Sequence, residues 1–253
     1  MNKLQEKNLL CDVFDAFYYD DKDNLVFYSD NLTASDIKGS ADEKEVRNGR
    51  GNGLFAKLYS NKKIEISLKT NAFDFATLAL LAGTEVGTGN GTCYTPMLTL
   101  TAKAKKITLP HIPKDSKKLE VFVKDVKVEE GKYTLETNTV TFTEGVNEND
   151  EIRILPYEFD MPSDEDSYQE ITVGANDFPS AGKLVLKGIE RDKKTKVYKD
   201  LTIIIPQAQP ATDFSLSTSS QVEATETEIK LSALVENGRL MKIIESPHIE
   251  QNN

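Results

Sequence analysis

The stretch EVRNGRGNGLFAKLY (45–59) sets Gly49, Gly51 and Gly53 at alternate positions around Arg50, between Arg47 and an apolar run. Whether it cradles a phosphate or turns a strand decides the class of the fold. A Walker loop places a lysine and a Ser/Thr after its last glycine and opens a helix. Here Leu54 follows, and Phe55, Lys57 and Tyr59 then alternate as in a strand. A dinucleotide fingerprint needs a strand before it and a helix after it. The charged segment SADEKEV precedes this stretch, and LFAKLY is not a clear helix. A second glycine-rich run, GTEVGTGNGT (83–92), follows a helical pattern instead of opening one. Both read as turns in which glycine supplies positive φ.

The surrounding chain reads as short strands. In KIEISLK, Ile64, Ile66 and Leu68 alternate with polar residues, the period of a half-buried strand. The same alternation predicts strands over 98–105, 118–124, 138–143, 151–155, 183–189, 213–219, 227–235 and 239–245. Asn237-Gly238 marks a tight hairpin turn between the last two. One segment departs from this pattern. NAFDFATLALLAG (71–83) predicts a helix with Asn71 as N-cap, Gly83 at its end, and Phe75, Leu78, Ala79 and Ala82 on one face. A second helical candidate lies at 3–16.

The expected class is therefore mainly β, a sandwich or barrel with one flanking helix and a small β insertion. Pro110 and Pro113 open the insertion and the acidic run DMPSDEDS closes it. We place the main domain at 1–105 and 159–253 and the insertion at 106–158. A two-domain chain cut near 160 is the alternative.

The chain has 253 residues, 38% of them hydrophobic, and a net charge of −10. That balance argues against gripping DNA or an anionic membrane by charge. Cys11 and Cys93 lie far apart and suggest free thiols in a reducing compartment. Asp12 and Asp15 interrupt the N-terminal apolar stretch, so no signal peptide is expected. In NLLC, leucine stands where a lipoprotein cleavage site needs a small residue. No apolar run reaches membrane-spanning length, and no membrane partner is expected.

No catalytic constellation stands out. His111 and His248 are near no cysteine cluster, no HExxH spacing and no GxSxG elbow, and both read as solvent-exposed loop residues. DDKDN (20–24) and DEDS (164–167) lack the glycine and glutamate of an EF-hand and read as acidic turns. The expectation is no enzyme, no metal and no cofactor.

The tongue DEKEVRNGR carries mixed charge beside a glycine hinge, which suits contact with another copy of the chain. Glu43, Glu45, Arg47, Asn48, Arg50 and Asn52 are the candidate subunit-interface residues. A solvated loop is the alternative.

DNLVFYSDNLTASDI, EVRNGRGNGLFAKLYSNKKIEISLK and NAFDFATLALLAG together resemble the N-terminal half of major tail (tail tube) proteins from phages of Gram-positive bacteria. LTIIIPQAQPATDFSLSTSS is similar to the C-terminal part of that group. The likeness covers 1–105 and 160–245, and 106–158 resembles β modules that vary among phage virion proteins. It implies a β-sandwich or barrel, six copies in a ring, rings stacked as a tube, and no catalysis. Partners would be the chain itself and other tail proteins, with DNA passing through an electronegative lumen unbound. The place would be the virion tail, assembled in the host cytoplasm, and a loop at 38–53 would reach a neighbouring subunit or ring. A capsid decoration or head–tail connector protein is the alternative within the class, and a carbohydrate-binding β-module the alternative outside it.

Overall fold

A computed structural model describes residues 8–129, 131–161, 168–192, 198–213 and 226–248. The chain forms two compact units, one from Met1–Val86 with Ile171–Asn253 and one from Gly87–Glu170. The larger unit opens with β1 (Asn8–Tyr19), β2 (Leu25–Ser29), β3 (Leu32–Asn48), β4 (Gly53–Thr70) and helix α1 (Phe75–Ala82). The smaller unit carries β5 (Gly87–Thr88), β6 (Thr92–Tyr94), β7 (Leu98–Thr101), β8 (Lys106–Thr108) and a 3-10 turn at Ser116–Lys118. It continues through β9 (Val121–Val123), β10 (Val126–Lys127), β11 (Tyr133–Glu136) and β12 (Thr139–Phe142). It ends with β13 (Glu151–Ile154), β14 (Glu158–Asp160) and β15 (Gln169–Glu170). The chain then returns for β16 (Gly182–Asp192), β17 (Tyr198–Pro210), β18 (Thr227–Ala233) and β19 (Lys242–Pro247).

In the larger unit eight strands form one antiparallel sheet in the order β2-β1-β16-β17-β18-β4-β3, with β19 also on β17. β18 turns the corner of this sheet. Its Leu231–Ala233 end pairs with β17, and Thr227–Ser232 pairs with β4. The two halves enclose one core, in which Phe14, Ala16 and Tyr18 of β1 join Ile64, Ile66 and Leu68 of β4 and Leu184, Leu186 and Ile205 of β16 and β17. The mainly β, sandwich-like class, with a single α-helix among the described residues, is as the sequence led us to expect.

Several elements differ from that reading. Residues 8–19 form a strand, not part of a helix. Asp12 takes φ 68 at a bulge between Cys11 and Asp15, which breaks the two-residue alternation and leaves apolar spacings that mimic a helix. Helix α1 starts three residues later than expected. Its N-cap is Asp74, not Asn71, and Asp74 Oδ1 accepts from the Thr77 amide at 2.7 Å. Its buried residues are Thr77, Ala79, Leu80, Leu81 and Ala82, a wider face than predicted. Asn237 and Gly238 form the expected tight turn, with φ 48 and 75, but the flanking strands do not pair with each other. β18 and β19 instead run one after the other along the edge of β17, on either side of Pro206. Pro206 has no N–H to lose at this change of partner. The strand predicted over 213–219 lies beyond Asp213 outside the described residues, as do DEDS and the start of the 3–16 candidate.

Gly83 ends α1 in the left-handed conformation, φ 71. A Cβ there would stand 2.2 Å from the Phe178 carbonyl carbon and 2.5 Å from the Pro179 nitrogen. Both are backbone atoms, which cannot rotate away. Gly83→Ala is therefore expected to cost about 3 kcal/mol, from backbone strain and overpacking together. A denaturant midpoint unchanged from wild type would refute this.

The smaller unit has its own core, including Ile107, Leu109, Val121, Val140, Phe142, Ile152 and Ile154. A four-stranded sheet β10-β9-β13-β7 and a three-stranded sheet β11-β12-β8 supply most of it. Residues 106–158 lie within this unit. β7, which precedes them, pairs with β13 over Leu98–Thr101, and β6 pairs with β14. The incoming and outgoing chain pair as well, Gly87 with Glu170 and Thr88 with Gln169.

Candidate assembly interface

The glycine-rich stretch is the tip of a long β-hairpin. β3 and β4 pair from Leu32/Thr70 to Asn48/Gly53. Glu65–Thr70 of β4 also pairs with β18, so the base of the hairpin belongs to the sheet. Outward from Ile64, β4 pairs with β3 alone, and the hairpin continues for about 35 Å at the usual rise of a strand. The turn is closed by the Asn52 amide donating to Gly49 O at 3.1 Å. Gly49 and Gly51 take φ 80 and 95, and Asn52 takes 54, so the tip needs the glycine and asparagine the sequence puts there.

Two bulges twist the arm. Ser40 faces Lys63 but Asp42 faces Ser60, so β4 has one extra residue here. Asn61 takes φ 51 at this bulge, and its side-chain amide donates to Asp42 Oδ2 at 2.8 Å. Nearer the tip, Val46 faces Ala56 while Arg47 faces Leu54, which makes Phe55 the extra residue.

All six candidate interface residues lie on this arm, and several are engaged within it. Arg47 pairs with Glu45 at 2.6 Å and donates from Nη1 to Asn52 O at 3.4 Å. Glu43 pairs with Lys57 at 2.6 Å, and Asn48 Oδ1 accepts from the Gly49 amide at 2.7 Å. Arg50 stands exposed at the tip. These ion pairs are solvent-exposed, and such pairs contribute little to holding the arm.

The sequence reading missed the arm's apolar surface. Leu54, Phe55, Leu58 and Tyr59 are 50, 73, 56 and 67% exposed. Cross-strand register puts Glu43, Glu45, Lys57 and Tyr59 on one face, and Lys44, Val46, Ala56 and Leu58 on the other. The signal was present in LFAKLY, an apolar strand with only a charged tongue as its sequence neighbour. A two-stranded ribbon is marginally stable alone in water. Four large apolar side chains stand exposed along this one, spread over both of its faces, and exposed apolar surface of this kind marks candidate interaction sites.

Elsewhere, the ionisable groups serve the fold. Asp20 Oδ1 accepts from the amides of Lys22 and Asn24, so DDKDN is an acidic turn. These bonds, with the Asn24 side chain foremost, hold the Asp20 carboxyl below its usual range. Tyr18 OH donates to Ser180 O and Ala208 O inside the core, and burial drives its pKa up. The histidines are more engaged than expected. His111 stacks on Phe159 at 3.9 Å, and His248 Nδ1 lies 2.6 Å from Asp200 Oδ1. Cys11 and Cys93 are free thiols. Among the described residues no group of three or more His, Cys, Asp or Glu is placed to hold a metal ion. No helix among them is long and apolar enough to cross a membrane.

A comparison with curated proteins finds no match. The model of the YomU/Tube protein family, by contrast, matches residues 8–243, spanning both units and the whole arm, and the chain belongs to this phage structural protein family.

Proposed function

We propose that this chain is the building block of a phage tail tube, assembling with itself into hexameric rings that stack into a conduit for DNA. The observation that carries the reading is the β3–β4 arm, whose apolar side chains have no cover within the chain's own sheet. Family membership supports a tube component of the virion, and self-association gives the arm a partner present in every copy. The chain acts as a structural element of the tail and catalyses nothing. It needs no cofactor, and it assembles in the host cytoplasm together with other tail proteins. Its net charge of −10 favours DNA passing without being held. More than half of that charge resides in Gly87–Glu170, about a third of the chain.

Negative-stain electron microscopy of the purified protein tests this, with rings or tubes as the expected result. A strictly monomeric protein across micromolar concentrations would refute it. Arg47→Glu combined with Arg50→Glu is expected to preserve the circular dichroism spectrum and weaken assembly several-fold. Arg50→Glu alone is the cleaner probe, because Arg47 also braces the arm through Glu45. Loss of folding in the double variant would mean that the arm belongs to the core of the unit.

A further inference from the structure

The smaller unit carries a surface that the tube reading leaves unused. Grooves of about 340 and 600 Å³ flank the 3-10 turn at Ser116–Lys118 and share Lys117, Lys118 and Glu120 in their walls. Tyr133 lines the first and Tyr94 the second. Tyr94 is 66% exposed on the β6–β14 ribbon, and its hydroxyl donates to Glu158 Oε1 at 2.5 Å. That bond fixes the ring in solvent, so little rotamer freedom remains to be lost on binding. The floor beneath is rigid too. Tyr157, buried in the second groove, donates to His111 O at 2.9 Å, and His111 stacks on Phe159 of the same ribbon.

The lining chemistry selects a ligand class. Among the described lining residues Asp115, Glu120 and Glu158 are set against Lys117, Lys118 and Lys127, with Glu120 paired to Lys127 at 2.7 Å, so these groups are balanced in charge. A polyanion or polycation would meet as much repulsion as attraction here. A neutral polyhydroxylated chain would not. Its hydroxyls can donate to carboxylates and accept from lysines, and the C–H face of a sugar ring suits the negative face of an aromatic ring. Groove volumes of this size are in the range of small-molecule sites. From this juxtaposition we propose that the two grooves form one binding site for a neutral oligosaccharide, with Tyr94 as the stacking platform and Glu120 as the shared polar contact. The site does not depend on the tube reading and would stand if the protein proved monomeric.

Isothermal titration of the full chain with maltohexaose, cellohexaose and chitohexaose tests it. Sub-millimolar binding of at least one is expected. Tyr94→Ala should weaken that binding about tenfold, and Tyr94→Phe, which keeps the ring, by less than about threefold. Glu120→Ala should weaken it as well without touching the ribbon. Melting temperatures should hold for all three variants, since these side chains lie outside the core of the unit. Binding of none of the three sugars at millimolar concentration would overturn the proposal. So would binding that both Tyr94→Ala and Glu120→Ala leave unchanged.

Discussion

Removing residues 89–168 and closing Thr88 to Gln169 with a short Asn-Gly turn is expected to leave a soluble, folded chain, whereas removing 106–158 is expected to leave an insoluble one. The first cut follows the physical units. Among the described residues the larger core lies wholly outside Gly87–Glu170 and the smaller core wholly inside it. The ends to be joined already pair, Gly87 with Glu170 and Thr88 with Gln169, so the linker only has to complete a hairpin. The second cut divides a core. It removes β13 and leaves β7 without the strand it pairs with, baring Leu98, Leu100 and the fully buried Ala102. It also strands Phe159 without Ile152 and Ile154, its partners in the same core. Unpaired apolar edges of that kind aggregate. Soluble yield and thermal melting decide the matter. The first variant should melt within a few degrees of wild type, and the second should appear in the pellet. The reverse outcome would place the boundary of the module at 106–158.

That contrast shows where the sequence is legible and where it is not. Alternation in KIEISLK, NTVTFT and EIRIL marks strands correctly, because each has one buried and one open face. The run LTIIIP shows no alternation and includes a proline, so periodicity does not mark it as a strand. It lies in β17, flanked on both edges by other strands and bulging where Pro206 sits. The β1 bulge at Asp12 hid a strand for a related reason, since one left-handed residue inverts the parity of those after it. The smaller compact unit runs from Gly87 to Glu170, wider than 106–158, because β7 pairs with β13 some fifty residues away, and nothing local in LTLT names that partner.

At the arm, charge was legible and exposure was not. Glu43, Glu45, Arg47, Asn48, Arg50 and Asn52 stand out in sequence as a polar tongue. Whether Leu54 and Leu58 point into a core or into solvent depends on how far β4 runs past β18. The sequence of β4 alone does not set that distance.

Leu54→Lys combined with Leu58→Lys is expected to abolish rings and tubes while leaving the chain folded, a larger effect than any charge reversal on the same arm. The magnitudes set this order. Burying a leucine side chain contributes about 1.5–3 kcal/mol, and because Leu58 shares its face with Lys44 and Val46 while Leu54 stands opposite Arg47 on the other, the double variant removes an apolar anchor whichever face meets a neighbour. An exposed ion pair contributes about 0–1 kcal/mol and is screened by salt. Arg47 is already paired within its own arm, so little of its interaction remains for a neighbour. Lysines at 54 and 58 would also have to bury charge wherever the leucines are buried, which adds to the loss. Each copy of the chain carries the arm, so in the ring proposed above the cost would recur at every contact. The fold of the monomer should survive, because both leucines are at least half exposed and the core of the larger unit begins at Ile64 on this strand. Sedimentation velocity should show the double variant as a monomer at concentrations where wild type assembles, with a melting temperature close to that of dissociated wild type. Assemblies persisting in the lysine variant, but lost in Arg50→Glu, would make the charged tip of the arm, and not its leucines, the part that meets its neighbour.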